Sequence, residues 1–195
     1  MIDDCTALIL AGGASRRMGS DKAALRIGGQ SLLQRMIDLT QALFPTVLLS
    51  VRQPREVQIA QVCDAQPGLG PLGGVCAGLR RAGTSWVFVV AVDMPYLKPE
   101  TITRLAAMRG EHQAVIPVVD GHPQPLAAFY AVTVLPALES ALAQEANCGL
   151  YAGLAGLDVL HTIEELPDFI DLDTPEDVAA ARRFLAGHSQ EHGVS

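Results

Sequence analysis

Three cationic side chains follow an apolar segment near the start of the chain. Residues 7–10 have the composition of a buried parallel strand, and Gly12 and Gly13 follow them after Ala11. Glycines in such a turn let backbone N–H groups approach a ligand closely. The cations that follow are Arg16, Arg17 and Lys22. Arginine can hold two phosphate oxygens at once, and lysine supplies a compact charge. We therefore predict a polyphosphate site with Arg17 and Lys22 as candidate catalytic cations.

The spacing of this loop differs from two common phosphate-binding patterns. It matches neither the G-x-x-x-x-G-K-[ST] of a P-loop nor the G-x-G-x-x-G of a dinucleotide turn. Between Gly12 and Arg35, however, Asp21 is the only acid, against the cations Arg16, Arg17, Lys22, Arg26 and Arg35. This density of positive charge favours an anion site over an ordinary turn between a strand and a helix.

A second candidate group, the carboxylate of Asp93, follows the most apolar segment of the chain, residues 86–92. A carboxylate held at the end of a buried strand suits a hard cation such as Mg²⁺. Because parallel strands end at one edge of a sheet, Asp64 and Asp173 are predicted to lie near Asp93. The alternative for each acid is a local role in capping a turn or a helix.

Alternating strand and helix patterns would position these groups. We predict helices over 31–44, with Ser31 as N-cap, and over 132–145, and one that Pro99 opens. A glycine-rich loop over 67–74 leads into a helix that ends near Arg80 and Arg81. Further strands are predicted over 47–51, 57–62, 114–119, 126–131 and 169–173, the fourth pairing antiparallel with the third. Thr174 would cap the last helix, with Pro175 at its first position.

Composition and charge narrow the class of protein. The chain has 195 residues, of which 49% are hydrophobic and only 5% aromatic, which suits one α/β domain with Ala-rich helices on a parallel sheet. We place this domain at residues 1–187 and a polar tail at 188–195. The formal net charge of −7 argues against nucleic acid as a partner. The acidic start of the chain and the lack of a membrane-spanning apolar run predict a cytoplasmic protein without membrane contact.

The sequence offers no covalent catalyst. The four cysteines form no C-x-x-C pair and are predicted to be reduced core thiols, and the five histidines show no metal-binding spacing. No G-x-S-x-G motif presents a serine nucleophile. Cations and a bound Mg²⁺ without a nucleophile fit in-line attack by a substrate oxygen on a nucleotide phosphorus.

The motifs together resemble the molybdenum cofactor guanylyltransferases, a family of nucleotidyltransferases. The first and most specific motif is Leu10-Ala11-Gly12-Gly13-x-Ser15-x-Arg17-Met18-Gly19-x-Asp21-Lys22. Four weaker motifs follow in the order that the family shows: Pro71-Leu72-Gly73-Gly74, Val92-Asp93-Met94-Pro95-Tyr96, Gln124-Pro125-Leu126-Ala127 and Asp173-Thr174-Pro175-Glu176-Asp177. The resemblance implies a three-layer, Rossmann-like nucleotidyltransferase fold with a mostly parallel sheet and a small antiparallel addition.

The resemblance also implies an activity, a cofactor and partners. GMP would pass from GTP to molybdenum-bound molybdopterin, with Mg²⁺ as cofactor and with transient contact to molybdoenzymes or their chaperones. By the same similarity, Asp93 would bind Mg²⁺ and Lys22 would hold phosphates. The implied nucleotide-binding residues are Leu10, Ala11, Gly12, Gly13, Lys22, Ser50, Asp64 and Asp93.

Three positions depart from the family pattern and leave alternatives open. Ser50, Asp171 and Asp173 stand where the family usually has asparagine. Acids at the last two positions also resemble the cytidylyltransferases and could bind a second metal. The alternatives are therefore a CTP-dependent enzyme acting on the same pterin, a sugar-phosphate nucleotidyltransferase, or a nucleotide-binding regulator without catalysis. Retention of both Lys22 and Asp93 favours an enzyme.

Overall fold

The computed structural model describes residues 1–12, 21–63, 70–144, 149–165 and 167–191, with side chains in the last range up to Phe184. The strands are β1 Cys5–Leu10, β2 Arg26–Ile27, β3 Gln30–Ser31, β4 Thr46–Val51, β5 Ala60–Cys63, β6 Trp86–Ala91, β7 Ala114–Val119, β8 His122–Pro123, β9 Ala127–Ala131 and β10 Val159–Glu164. The α-helices are α1 Leu32–Leu43, α2 Gly70–Arg81, α3 Pro99–Ala107, α4 Leu135–Gln144 and α5 Pro175–Glu191. Short 3₁₀ helices cover Lys22–Ala24, Val132–Val134 and Ala152–Leu154. The predicted boundary between domain and tail stays a prediction.

One mostly parallel sheet forms the centre of the molecule. Its strand order is β10-β7-β9-β6-β1-β4-β5, with β8 paired to β7. Neighbouring strands along this order are parallel except at β9, which runs antiparallel to both β6 and β7. A separate small hairpin joins β2 to β3. The predicted α/β class, with a mostly parallel sheet and an antiparallel addition, is confirmed.

Helices cover both faces of this sheet because its strands alternate apolar side chains between the two sides. Ile9 and Phe88 belong to the apolar cluster that faces α1, α3 and α5. Leu8 and Val89 belong to the cluster on the other face, with side chains of α2 and α4. The three-layer arrangement is confirmed.

The predicted helix boundaries hold at α1 and at the C-terminal end of α2, near Arg80 and Arg81, but not at the start of α2. The hydroxyl of Ser31 accepts a hydrogen bond from the N–H of Gln34, 3.1 Å away, so Ser31 caps α1 as predicted. The predicted loop over 67–74 is wrong at its C-terminal end, because α2 already begins at Gly70. Helix α2 packs closely against the sheet, and a Cβ at Gly78 would overlap the side chain of Leu8. Gly78 therefore permits close packing, whereas Gly70, with a φ of +63°, adopts the left-handed conformation that glycine favours.

A second correction concerns residues 169–173, which were predicted as a strand and form none. Phe169 and Leu172 are both buried although they lie three positions apart, a spacing that a strand does not place on one face. The buried carboxylate of Asp168 accepts a hydrogen bond from Thr101 at 2.5 Å, which fixes the segment against α3. The strand in this part of the chain is β10, which the sequence patterns did not reveal.

A paired carboxylate anchors the end of β10. Arg104 donates two hydrogen bonds to Glu164, at 2.6 and 2.5 Å, and the Glu164 side chain is only 4% exposed. Arg104→Ala would leave this carboxylate buried and unpaired, so we expect a loss of about 2 kcal/mol in the free energy of unfolding. Urea denaturation would measure it. Arg80→Ala, which removes an exposed pair with Glu139, should cost under about 0.5 kcal/mol. Equal losses for the two variants would contradict the prediction.

Two further expectations can be compared with the structure. No helix among the described residues is long and apolar enough to cross a membrane. Cys5 and Cys76 are buried, as predicted for core thiols, and burial raises the pKa of Cys5 to about 12. The same prediction is wrong for Cys63, which is exposed because β5 lies at the edge of the sheet. Cys148 lies outside the described residues.

Candidate active site

The ends of three neighbouring strands form the floor of the candidate site. Leu10, the last residue of β1, pairs with Ser50 of β4 on one side and with Ala91 of β6 on the other. Two backbone hydrogen bonds extend this pairing beyond β1, from Ala11 N to the Ser50 carbonyl at 3.0 Å and from Val92 N to the Leu10 carbonyl at 3.2 Å. Gly12 and Asp93 therefore lie just beyond the ends of adjacent strands, as predicted for an α/β sheet.

Lys22 lies between two carboxylates at this edge. Its Nζ is 2.7 Å from Asp93 Oδ2 and 2.7 Å from Asp173 Oδ1. The Lys22 side chain is 17% exposed and that of Asp93 is 16% exposed, so the first pair is largely shielded from water. Burial alone lowers the pKa of Lys22, but the hydrogen bonds to Asp173 and Asp93 outweigh it, and the net pKa is raised. Lys22 is therefore a fixed positive charge at the strand ends.

The segment before α5 completes the acidic side of the site. The N–H of Leu172 donates to the carbonyl of Asp93 at 3.1 Å, which brings residues 171–173 beside the end of β6. Partial burial, followed by repulsion from the carboxylates of Asp173 and Asp93, raises the pKa of Asp171, while Lys22 opposes this shift. Sequence reasoning placed Asp173 near Asp93 correctly, although it predicted a strand where the structure has an irregular segment.

Thr174 caps α5 and fixes the direction in which the chain leaves the site. Its hydroxyl accepts a hydrogen bond from the N–H of Asp177 at 3.2 Å, and Asp177 accepts in return from the N–H of Thr174 at 2.8 Å. Reciprocal bonds of this kind satisfy N–H groups that a helix start otherwise leaves unpaired. The predicted N-cap at Thr174 is confirmed.

Arg55, in the segment between β4 and β5, was not predicted as a site residue. Its guanidinium donates to both carboxylate oxygens of Asp21, at 2.7 and 3.1 Å. The hydrogen bond from Arg55, followed by the opposing effect of burial, leaves the pKa of Asp21 lowered. No sequence motif marks Arg55, because it lies in a polar segment that resembles an ordinary surface loop.

Ser50 lies at the same edge but is buried beneath α2. A Cβ at Gly74 would lie only 2.5 Å from Ser50 Oγ, so the hydroxyl and the helix backbone pack directly against each other. The absence of a side chain at Gly74 therefore makes room for Ser50 at the end of β4. Ser50 as a whole is 5% exposed.

Three of the predicted site residues, Gly13, Arg17 and Asp64, lie outside the described residues. The structure brings together the remaining ones, which are Leu10, Ala11, Gly12, Lys22, Ser50 and Asp93. Their roles toward a ligand stay predictions.

The donors near Lys22 suit a hard divalent cation in kind. Asp93, Asp171 and Asp173 offer carboxylate oxygens, which are the ligands that Mg²⁺ prefers. Within the described part of the chain, no three His, Cys, Asp or Glu side chains are already arranged to hold a metal ion. Lys22 instead occupies the space between two of the acids. The chemistry of the donors therefore fits the ion, and Asp93 is more shielded from water than Asp173, at 16% against 51% exposed.

Comparison with known proteins gives a consistent family match. Residues 7–157 match the family model described as "MobA-like NTP transferase domain". A molybdenum cofactor guanylyltransferase of Vibrio cholerae serotype O1 is 34% identical, over 90% of the chain and 90% of that protein. A protein of Natranaerobius thermophilus, named "Probable molybdenum cofactor guanylyltransferase", is 31% identical over 95% of the chain and 98% of that protein.

A solved structure shows the same architecture. The crystal structure of molybdopterin-guanine dinucleotide biosynthesis protein A from Archaeoglobus fulgidus superposes with a TM-score of 0.82. It covers 93% of the chain described here and 99% of its own chain, at 26% sequence identity. The similarity of fold and the similarity of sequence thus indicate the same family.

Proposed function

Because this chain belongs to the MobA-like NTP transferase domain family, and within it to the molybdenum cofactor guanylyltransferases, we propose that it transfers GMP from GTP to molybdenum-bound molybdopterin. The products are molybdopterin guanine dinucleotide and pyrophosphate. Membership makes the chain a nucleotidyltransferase. GTP as donor, Mg²⁺ as cofactor and the residue roles below are our proposals.

The position of Lys22 is the observation that carries the proposal. Its ammonium group lies 2.7 Å from the carboxylate of Asp93, just beyond β6, and 2.7 Å from that of Asp173, in the segment before α5. A fixed cation beside acids that can bind a divalent ion is the arrangement that transfer of a nucleotidyl group needs. An ordinary surface lysine would have neither the burial nor the paired acids.

Each predicted residue has one role in this proposal. The backbone of Leu10, Ala11 and Gly12 contacts the nucleotide, and Lys22 binds its phosphates. Gly13, Arg17, Ser50 and Asp64 complete the proposed nucleotide and phosphate contacts. Asp93 would hold Mg²⁺, which when bound neutralises phosphate charge and helps to align the reacting groups.

The reaction needs alignment and charge rather than a protein nucleophile. A terminal phosphate oxygen of the pterin attacks the α-phosphorus of GTP, and the bond from that phosphorus to the bridging oxygen of pyrophosphate breaks. Lys22 keeps its charge because the acids around it raise its pKa, so it can stabilise the negative charge that develops on the leaving pyrophosphate. Rigid strand ends hold the backbone contacts in place for in-line attack.

Release of pyrophosphate with a panel of nucleotides tests this proposal. With Mg²⁺ and molybdopterin present, we expect turnover with GTP to exceed turnover with CTP about a hundredfold, because a site that hydrogen-bonds one base rejects a base that leaves its polar groups unpaired. Without molybdopterin, GTP should release no pyrophosphate above the background rate. Molybdenum-free and molybdenum-bound pterin should be compared in the same assay.

The alternatives give different results in the same assay. Preference for CTP would replace the guanine assignment with the cytidylyltransferase alternative that Asp171 and Asp173 suggest. Turnover with a sugar phosphate in place of the pterin would indicate a sugar-phosphate nucleotidyltransferase. Binding of a nucleotide without any turnover would indicate a regulator.

A further inference from the structure

We propose that Arg55 is a positioning residue for Lys22: it joins the end of β1 to Asp21 and thereby fixes the residue that follows Asp21. The inference deepens the proposed function, on which the phosphate-binding role of Lys22 rests. Arg55 lies outside every motif that the family resemblance uses.

The backbone of Arg55 is itself held in place. Its N–H donates to Gln61 Oε1 at 2.9 Å, and Gln61 Nε2 donates to the carbonyl of Arg55 at 2.8 Å. Gln61 belongs to β5, so these two bonds connect Arg55 to the sheet. The guanidinium therefore extends from a supported point rather than from an unsupported loop.

One guanidinium contacts two points that are ten positions apart in the sequence. Arg55 Nη2 donates to the carbonyl oxygen of Ala11, directly after β1, at 3.4 Å. Nη2 and Nη1 also each donate to one oxygen of the Asp21 carboxylate, in the bidentate geometry that arginine favours. Asp21 is thus held at a defined distance from the strand end.

Asp21 connects Arg55 to Lys22 because it caps the helix that begins at Lys22. Its Oδ1 accepts a hydrogen bond from Ala23 N at 3.1 Å and so caps the 3₁₀ helix Lys22–Ala24. The lysine is the first residue of that helix, and its Nζ reaches Asp93 and Asp173. Orientation of the Asp21 carboxylate by Arg55 therefore sets where the Lys22 side chain starts.

The value of this contact lies in geometry more than in ion-pair energy. The Arg55 side chain is 27% exposed and that of Asp21 is 45% exposed, so water screens much of their attraction. Loss of Arg55 should leave the fold intact but require Lys22 to be ordered again whenever a nucleotide binds. The free energy needed to order Lys22 would weaken nucleotide binding and leave the rate of the chemical step unchanged.

Chemical labelling of lysine tests this positioning without any substrate. Lys22 and Lys98 are the only lysines in the chain, so Lys98 is an internal reference. Competitive acetylation with acetic anhydride, followed by mass spectrometry, gives the ratio of their reactivities. We expect Arg55→Gln to raise the ratio of Lys22 to Lys98 labelling about threefold, because more frequent local opening exposes the lysine. Arg80→Gln, a change to an exposed arginine paired with Glu139, should leave the ratio unchanged.

Steady-state kinetics provide the second measurement. Arg55→Gln should raise the KM for GTP about tenfold and change kcat by no more than about twofold. Asp21→Asn keeps an oxygen that can cap the 3₁₀ helix but weakens the bond to Arg55, so it should have a similar effect. Because both changes break one connection, the double variant should be no worse than either single variant.

Two outcomes would overturn the proposal. An unchanged labelling ratio and an unchanged KM, with or without a lower Tm, would mean that Arg55 is only structural. Additive effects of the two changes on KM would mean that Arg55 contacts the nucleotide directly. If the unmodified protein shows no turnover with GTP, the proposed function fails, but the labelling ratio still decides the role of Arg55.

Discussion

Lys22→Ala is expected to lower kcat/KM for GTP about a thousandfold, which is typical for loss of a charge that stabilises the transition state in a shielded site. Lys22 Nζ is the cation held at the strand ends, 2.7 Å from both Asp93 and Asp173. Its removal takes away the proposed phosphate contact and also leaves these acids facing an incoming polyphosphate without compensation. Steady-state release of pyrophosphate measures the loss.

Lys98→Ala is the matched control. It removes the other lysine of the chain, which pairs with Asp168 and is 58% exposed. Activity close to that of the unmodified protein is expected for Lys98→Ala, and both variants should keep the same circular dichroism spectrum. If Lys22→Ala retained a tenth or more of the activity, by the same order-of-magnitude reasoning, Lys22 would not be the proposed phosphate contact.

Asp93→Ala is expected to abolish Mg²⁺-dependent turnover, with a loss of about a thousandfold in kcat/KM. Asp93 lies two positions beyond the end of β6, and its side chain is 16% exposed. Loss of the carboxylate removes the proposed Mg²⁺ ligand, whereas the backbone contacts at the end of β1 remain. Titration of nucleotide binding with Mg²⁺ should therefore show that the metal no longer strengthens binding.

An exposed acid provides the control for Asp93. Asp158→Ala removes a carboxylate that contacts His112 at the surface and is 61% exposed. Its response to Mg²⁺ should equal that of the unmodified protein. Persistence of Mg²⁺-dependent nucleotide binding in Asp93→Ala would assign the metal to other groups and contradict the role proposed for this acid.

The layers of the fold were predictable because they depend on local patterns of apolar residues. The most apolar segment became β6 at the centre of the sheet, and the helical period with Ser31 at its start became α1. Predictions from local sequence patterns were wrong where contacts between distant segments determine the structure. Residues 169–173 are irregular because Phe169 and Leu172 are both drawn into the core, and β10 is an edge strand with weak alternation.

The candidate site was predictable to the extent that its residues follow strands. Asp93 and Gly12 each lie two positions beyond the last residue of β6 and β1, so their proximity comes from the rule that parallel strands end at one edge. Arg55 could not be predicted in this way. It reaches Asp21 across 34 positions of sequence from a polar loop, and only the folded chain shows that the two side chains meet.

The contact between Lys22 and Asp173 has a consequence for synthesis of the chain on the ribosome. The two residues are 151 positions apart, whereas Lys22 and Asp93 are 71 apart. Folding during synthesis proceeds from the N-terminal side, and a chain that has emerged only as far as α3 contains both Lys22 and Asp93 but lacks Asp173. Asp171 and Asp173 reach the site last, when residues 171–173 pack beside the end of β6. A nascent chain therefore cannot present a complete site before nearly all of it has been made.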